Sequence, residues 1–208
     1  MKRSAVARAL DHGLAEDTVV FASLGTAGRA WREQGASQLT YYASDPMGTA
    51  PALALGAAVS RPNLEFVLLE GDGDLAMNLG VLLTIANTAP PNLHIVVFDN
   101  GRYETGGGQP LGTHATADLA AIGRGAGLAS VDLLPATTTE GQLRAFFAEF
   151  LSRPGPALAV IGVEPEPSPY GGPGQHSGVQ CRTLFQEALA ARGADVSTAG
   201  ATGVIPDR

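Results

Sequence analysis

The chain has 208 residues, 45% of them apolar, which suits a single domain able to bury a sizeable core. A formal net charge of -7 argues against nucleic acid or an anionic membrane as partner. The single cysteine, Cys181, excludes an intramolecular disulfide and any cluster bound by this chain's cysteines alone.

In chain order, helical spacing over 3–15 precedes a β-rich apolar run, TVVFAS, at 18–23. Helix 27–34, strand LTYY (39–42), helix 48–60 and strand EFVLLE (65–70) follow. Then come helix 75–88, strand LHIVVF (93–98), helix 116–126 and strand LASVDL (128–133). Helix 140–152, strand ALAVIGV (157–163) and helix 179–192 complete the set. This alternation implies right-handed βαβ units: an α/β fold, doubly wound around a mainly parallel six-stranded sheet with helices on both faces. Ligands in such folds bind at the carboxyl ends of the strands. EPEPSPYGGPGQHSG (164–178) reads as a linker or lid, and GADVSTAGATGVIPDR as a loose tail. Residues 1–165 would then carry the site, with 166–208 an appended segment and helix of the same domain. With no signal peptide and no apolar span of about 18 residues, the expected location is cytoplasmic.

Chemistry concentrates in residues 71–110, GDGDLAMNLGVLLTIANTAPPNLHIVVFDNGRYETGGGQP. Gly71-Asp72-Gly73 falls between a strand and a helix, where backbone N–H groups can point at a phosphate. Asp99-Asn100 closes the next buried strand, which would bring Asn100 beside Asp72. A carboxylate, a side-chain amide and a backbone carbonyl are hard oxygen donors suited to octahedral Mg²⁺. Either half alone is an ordinary turn; the pairing at two strand ends is what points to a metal. Asp74 fits less well, since a further carboxylate repels a phosphate. It is expected to cap the helix N-terminus with its side chain turned away. For an anionic ligand, His94, Arg102 and His114 are the nearest basic candidates.

The GDG…DN pattern resembles the Mg²⁺-diphosphate motif of thiamine diphosphate (ThDP) enzymes. MNLG, TIAN, PNL, DNG, Tyr103 and Thr105-Gly-Gly-Gly-Gln109-Pro110 resemble the β subunit of sulfopyruvate decarboxylase and the C-terminal half of phosphonopyruvate decarboxylase. SLGTAGR (23–29) and YYASDPMGTAPALALGAA (41–58) extend the likeness to about residues 15–165. It departs at Ala27, at the extra glycine among 106–108 and in the Gly/Pro-rich tail.

The resemblance implies ThDP held through Mg²⁺ by Asp72, Asn100 and the Arg102 carbonyl. Gly25, Thr26, Gly71, Gly73, Asp74 and Tyr103 would complete the cofactor contacts. Met47 would wedge between the two cofactor rings, with its amide and the Asp45 carbonyl on the pyrimidine edge; otherwise it is a core residue at a helix start. Gln109 and His114 would reach the substrate's anionic tail or relay a proton, against the plainer reading of a loop amide and a solvated histidine. His12, His94 and His176 have weaker claims.

The glutamate that activates the pyrimidine comes, in this superfamily, from a separate domain of similar size. The chain is therefore expected to be half an active site. A pyrimidine-binding α subunit would supply the Glu in a hetero-oligomer, α2β2 or larger. The implied reaction is decarboxylation of a small anionic 2-oxoacid. Three alternatives stay open: a ThDP-dependent carboligase subunit, the β subunit of a 2-oxoacid:ferredoxin oxidoreductase, and a non-catalytic ThDP-binding subunit.

Overall fold

A computed structural model describes residues 1–44, 46–112, 116–166 and 178–191. Six strands form one sheet: β1 (Val19–Ala22), β2 (Leu39–Tyr42), β3 (Phe66–Gly71), β4 (Leu93–Asp99), β7 (Ser130–Leu134) and β8 (Ala157–Gly162). Their order is β2-β1-β3-β4-β8-β7, and every pairing is parallel. Two further two-residue strands, β5 (Arg102–Tyr103) and β6 (Gln109–Pro110), make an antiparallel hairpin.

The central strands are apolar on both faces because both faces are covered. Phe66, Leu68, Ile95, Val97 and Val160 point to one core. It is closed by α3 (Ala50–Ser60), α5 (Val81–Thr88) and α6 (Leu119–Gly125). Val67, Leu69, Val96, Phe98 and Ile161 point to the other, under α1 (Arg3–Asp11), α2 (Thr26–Arg32) and α7 (Glu140–Phe150). Period-two alternation within continuous apolar runs thus divides one sheet between two cores. Thr139 and Gln142 close a capping box at the start of α7. The last helix, α8 (Gly178–Ala191), lays Phe185 against Phe21 and Tyr41, with ring centroids 5.5 and 5.2 Å apart.

One boundary error bears on the site. The expected helix 75–88 is two helices, α4 (Asp72–Ala76) and α5, interrupted at 77–80. The first begins on the motif aspartate itself, and Gly71 occupies its N-cap position. Residue 116, expected as a helix start, precedes α6 by a turn; Asp118 caps that helix by accepting the Ala121 N–H at 2.9 Å.

Among the described residues, no helix is long and apolar enough to cross a membrane. The expected linker or lid and the tail lie mostly outside the described residues.

Candidate functional site

From β1 the chain moves to β2 on one flank, while β3 pairs with β1 on the other. The strand order therefore reverses between β1 and β3. At such a switch point the connecting loops diverge and leave a crevice beyond the carboxyl ends. A cavity of about 330 Å³ lies there. Leu24 and Thr26 line it from the end of β1, Gly71 to Asp74 from β3, and Asn100, Arg102 and Tyr103 from β4; Met47 and Gln109 also face it.

Asp72 is buried at this point. Its Oδ1 accepts the Gly73 N–H at 2.9 Å and its Oδ2 the Gly101 N–H at 2.7 Å. Burial pushes its carboxyl up to about 7; the two N–H groups pull the other way, and the neighbouring Asp99 carboxylate adds to the rise. A cation in the cavity would relieve Asp72, which lines it and has Asp99 beside it. Asn100 Oδ1 accepts the Arg102 N–H at 2.7 Å, which leaves its second lone pair for another partner. Among the described residues, the cavity lining carries Asp72, Asp74 and Glu104, the last paired with Arg3 behind the wall, and the guanidinium of Arg102. An anionic diphosphate would need a metal between itself and Asp72. No cluster of three or more His, Cys, Asp or Glu side chains forms a metal site among the described residues, so amide and carbonyl oxygens would have to share in the binding.

Two glycines are fixed by close approach. A Cβ on Gly73 would lie 2.7 Å from the Tyr103 ring. One on Gly25, whose φ is +77°, would collide with Thr105 Oγ1. The β1–α2 loop and the motif turn thus both press against the segment after β4. Gly25 itself borders a second, larger cleft of about 720 Å³ that also takes in Arg29, Arg32 and Tyr42.

Met47 is 38% exposed beside the cavity, near the still more exposed Met77. Gly48, at φ +83°, gives its N–H to Asp74 Oδ1 and takes the Asn78 Nδ2 hydrogen bond on its carbonyl at 3.0 Å.

That arrangement corrects the expectation for Asp74. It sits inside α4 with its carboxylate on the Gly48 amide, and caps nothing. His94 is also corrected as a basic candidate. It lies near the start of β4, buried, with Nε2 donating to the Arg153 carbonyl at 3.0 Å and its ring edge-on to Phe150. Gln109 is exposed on β6. Asp45, His114 and His176 lie outside the described residues.

Two residues of the site escaped the sequence reading. Glu70 is fully buried; loss of water and the adjacent Asp74 carboxylate push its carboxyl well above the usual range. An acid at the end of an apolar strand reads as a turn residue, so nothing in the sequence flagged it. Asn78 appeared in MNLG, but its bond to Gly48 spans 30 positions.

The C-terminal TPP binding domain of thiamine pyrophosphate enzymes matches residues 23–161. The chain belongs to this family. Over 154 residues it is 34% identical to the sulfopyruvate decarboxylase subunit beta of Methanothermobacter thermautotrophicus, covering 74% of this chain and 77% of that protein. It is 32% identical over 160 residues to the phosphonopyruvate decarboxylase of Streptomyces viridochromogenes, covering 76% of this chain and 39% of that longer protein. In fold it is similar to a 2-oxoglutarate:ferredoxin oxidoreductase from Magnetococcus marinus, with a TM-score of 0.67 at 17% identity over 92% of this chain and 75% of that one. The parallel sheet is therefore that of a TPP-binding domain. The donor chemistry around Asp72 fits a metal-bound diphosphate.

Proposed function

We propose that this chain is the diphosphate-binding β subunit of a heteromeric ThDP-dependent 2-oxoacid decarboxylase of the sulfopyruvate or phosphonopyruvate type. The observation that carries this reading is the meeting of Asp72, Asn100 and Arg102 on one cavity wall in a chain 34% identical to a sulfopyruvate decarboxylase β subunit. Asp72, Asn100 and the Arg102 carbonyl would hold Mg²⁺, whose charge would offset that of the diphosphate. Bound ThDP supplies a carbon nucleophile and an electron sink for loss of CO₂.

The chain's own residues bind and orient. Gly73 lacks the side chain that would collide with the Tyr103 ring, so the ring packs on the motif turn whose backbone would face the diphosphate. Asp74 and Asn78 grip Gly48 and so set where Met47 enters the cavity. Met47 and the Asp45 carbonyl would support the cofactor, with Thr26 lining the cavity from the end of β1 and Gly25 just before it. Arg102 is the cationic side chain on the wall and suits the substrate's anionic tail; Gln109 beside it, and His114, are further candidates. Residues 1–165 form the cofactor domain, with 166–208 as its appended segment. The activating Glu comes from a pyrimidine-binding α subunit, and the assembly is α2β2 or larger.

The test is purification of the chain with its bound proteins from the native host, followed by assay of CO₂ release from sulfopyruvate and phosphonopyruvate. A stoichiometric second chain and Mg²⁺-dependent CO₂ release support the reading. A self-only oligomer, or a complex that binds ThDP and releases no CO₂ from either acid, contradicts it.

A further inference from the structure

Among the described residues, Arg3 and Glu104 form the ion pair in which both side chains are buried, with Nη1 to Oε2 at 2.5 Å. The Arg3 fork also reaches Glu166 at 3.6 Å, and Glu104 Oε1 accepts the Glu166 N–H at 2.5 Å. One carboxylate therefore ties together the start of α1, the segment after β8, and the loop that follows β4. Glu104 directly follows Tyr103, and it lines the same cavity as Asp72.

The hairpin that carries these residues is poorly held by itself. β5 and β6 share two residue pairs, and the turn between them closes on the Tyr103 carbonyl through the Gly106 and Gly108 N–H groups at 3.1 and 2.9 Å. Two-stranded hairpins of this kind are marginal without packing against something else. Gly101, anchored on Asp72, fixes one end. Midway along, the anchor is Glu104 on Arg3. Burying an ion pair costs desolvation, so it is weak support for stability in general; its other use is to fix position.

We propose that Arg3 is a positioning residue for the cofactor site. Through Glu104 it sets the 102–110 hairpin against the sheet, so that the Tyr103 ring stays on Gly73 and the Arg102 main chain stays at the cavity wall. The proposal rests on the cofactor reading above. Removing the guanidinium leaves the Glu104 charge buried and uncompensated, and the hairpin must lift to hydrate it. Removing both charges takes away that driving force.

Hydrogen exchange on the full chain, without metal or cofactor, reads this directly. Arg3→Met is expected to speed exchange across 101–111 about tenfold, and Arg3→Met/Glu104→Gln to bring it back near wild type. In the complex with its partner chain, ThDP affinity at saturating Mg²⁺ is expected to fall about tenfold in the single variant and to recover in the double. Phe147→Leu, in the core between α1 and α7, serves as the control for general destabilisation. It should lower Tm with affinity and 101–111 exchange unchanged. Should Arg3→Met fail to fold, Arg3→Lys, which keeps a charge without the fork, is expected to show the same changes in smaller degree. Wild-type exchange at 101–111 in the Arg3 variant, or the same affinity loss in Phe147→Leu, overturns the proposal. If wild type itself takes up no ThDP, the cofactor reading fails, while the exchange result still decides whether Arg3 positions the hairpin.

Discussion

Asp74 accepts the backbone N–H of Gly48, and this bond joins the turn after β3 to the loop that presents Met47. Asn78 takes the carbonyl of the same glycine at 3.0 Å, so both polar groups of one residue are held from one side. The carboxylate that seemed misplaced beside a diphosphate is thereby held on a backbone amide. The interruption between α4 and α5 follows from the same contacts, because Met77 and Asn78 lie against Gly48.

Gly48→Ala tests that junction. At φ +83° a Cβ is strained, and it would also sit 2.9 Å from Asn78 Cβ and 3.2 Å from Met77 Cβ. Strain of this kind costs about 1–3 kcal/mol. Thermal denaturation should show a lower Tm, and ThDP titration a loss of affinity of at least about tenfold as Met47 shifts. An unchanged Kd would separate Met47 from cofactor binding.

Asn78→Ala is the milder probe. It removes one half-buried hydrogen bond, worth about 1 kcal/mol at most, and leaves the glycine turn intact. Calorimetry should find a small stability loss and a ThDP affinity reduced several-fold, about the factor that energy corresponds to.

Asp72 gives the site a pH signature. In the metal-free chain its folded carboxyl, at about 7, lies above its ordinary value of 3.8, so the folded state holds the proton more tightly than the unfolded one. The resulting stability is fully present below about 4 and is lost as pH rises through 7. Glu70, raised in the same direction, adds to the slope. Tm measured without metal should fall across that window. Mg²⁺ should restore it at and above pH 7 and do little near pH 5, where the ligand is protonated. Asp72→Asn should abolish the Mg²⁺ response and shallow the slope; a variant still stabilised by Mg²⁺ would remove Asp72 from the metal site.

His94 predicts the opposite sign and no link to the cofactor. Burial holds its folded pKa below the usual 6.5, so stability is present above that value and is lost as pH falls through the folded pKa. His94→Gln should flatten the acid limb of a Tm–pH curve and leave ThDP affinity at the wild-type level.

The strands were legible because burial on both faces left no alternative to continuous apolar runs. FVLLE, LHIVVF and ALAVI are all closed to solvent. The Asp72 and Asn100 halves of the motif were legible for a related reason: each follows such a run, and parallel pairing carries both to one edge. Contacts across long separations were not. Nothing near Asn78 signals a bond to Gly48, and nothing near Arg3 signals Glu104. The β5–β6 hairpin was missed since two residues per strand show no period. His94 was chosen for its charge alone, although its place at the start of strand 93–98 already sets it at the end of the sheet away from the ligand.

ThDP titration into the chain–partner complex, with Mg²⁺ and again with a chelator, tests the central claim most directly when wild type is set beside Asp72→Ala. The account predicts tight binding by wild type that the chelator abolishes, and no Mg²⁺-dependent binding by the variant. Equal binding by both proteins, or binding indifferent to the chelator, would contradict a metal-anchored cofactor at the end of β3.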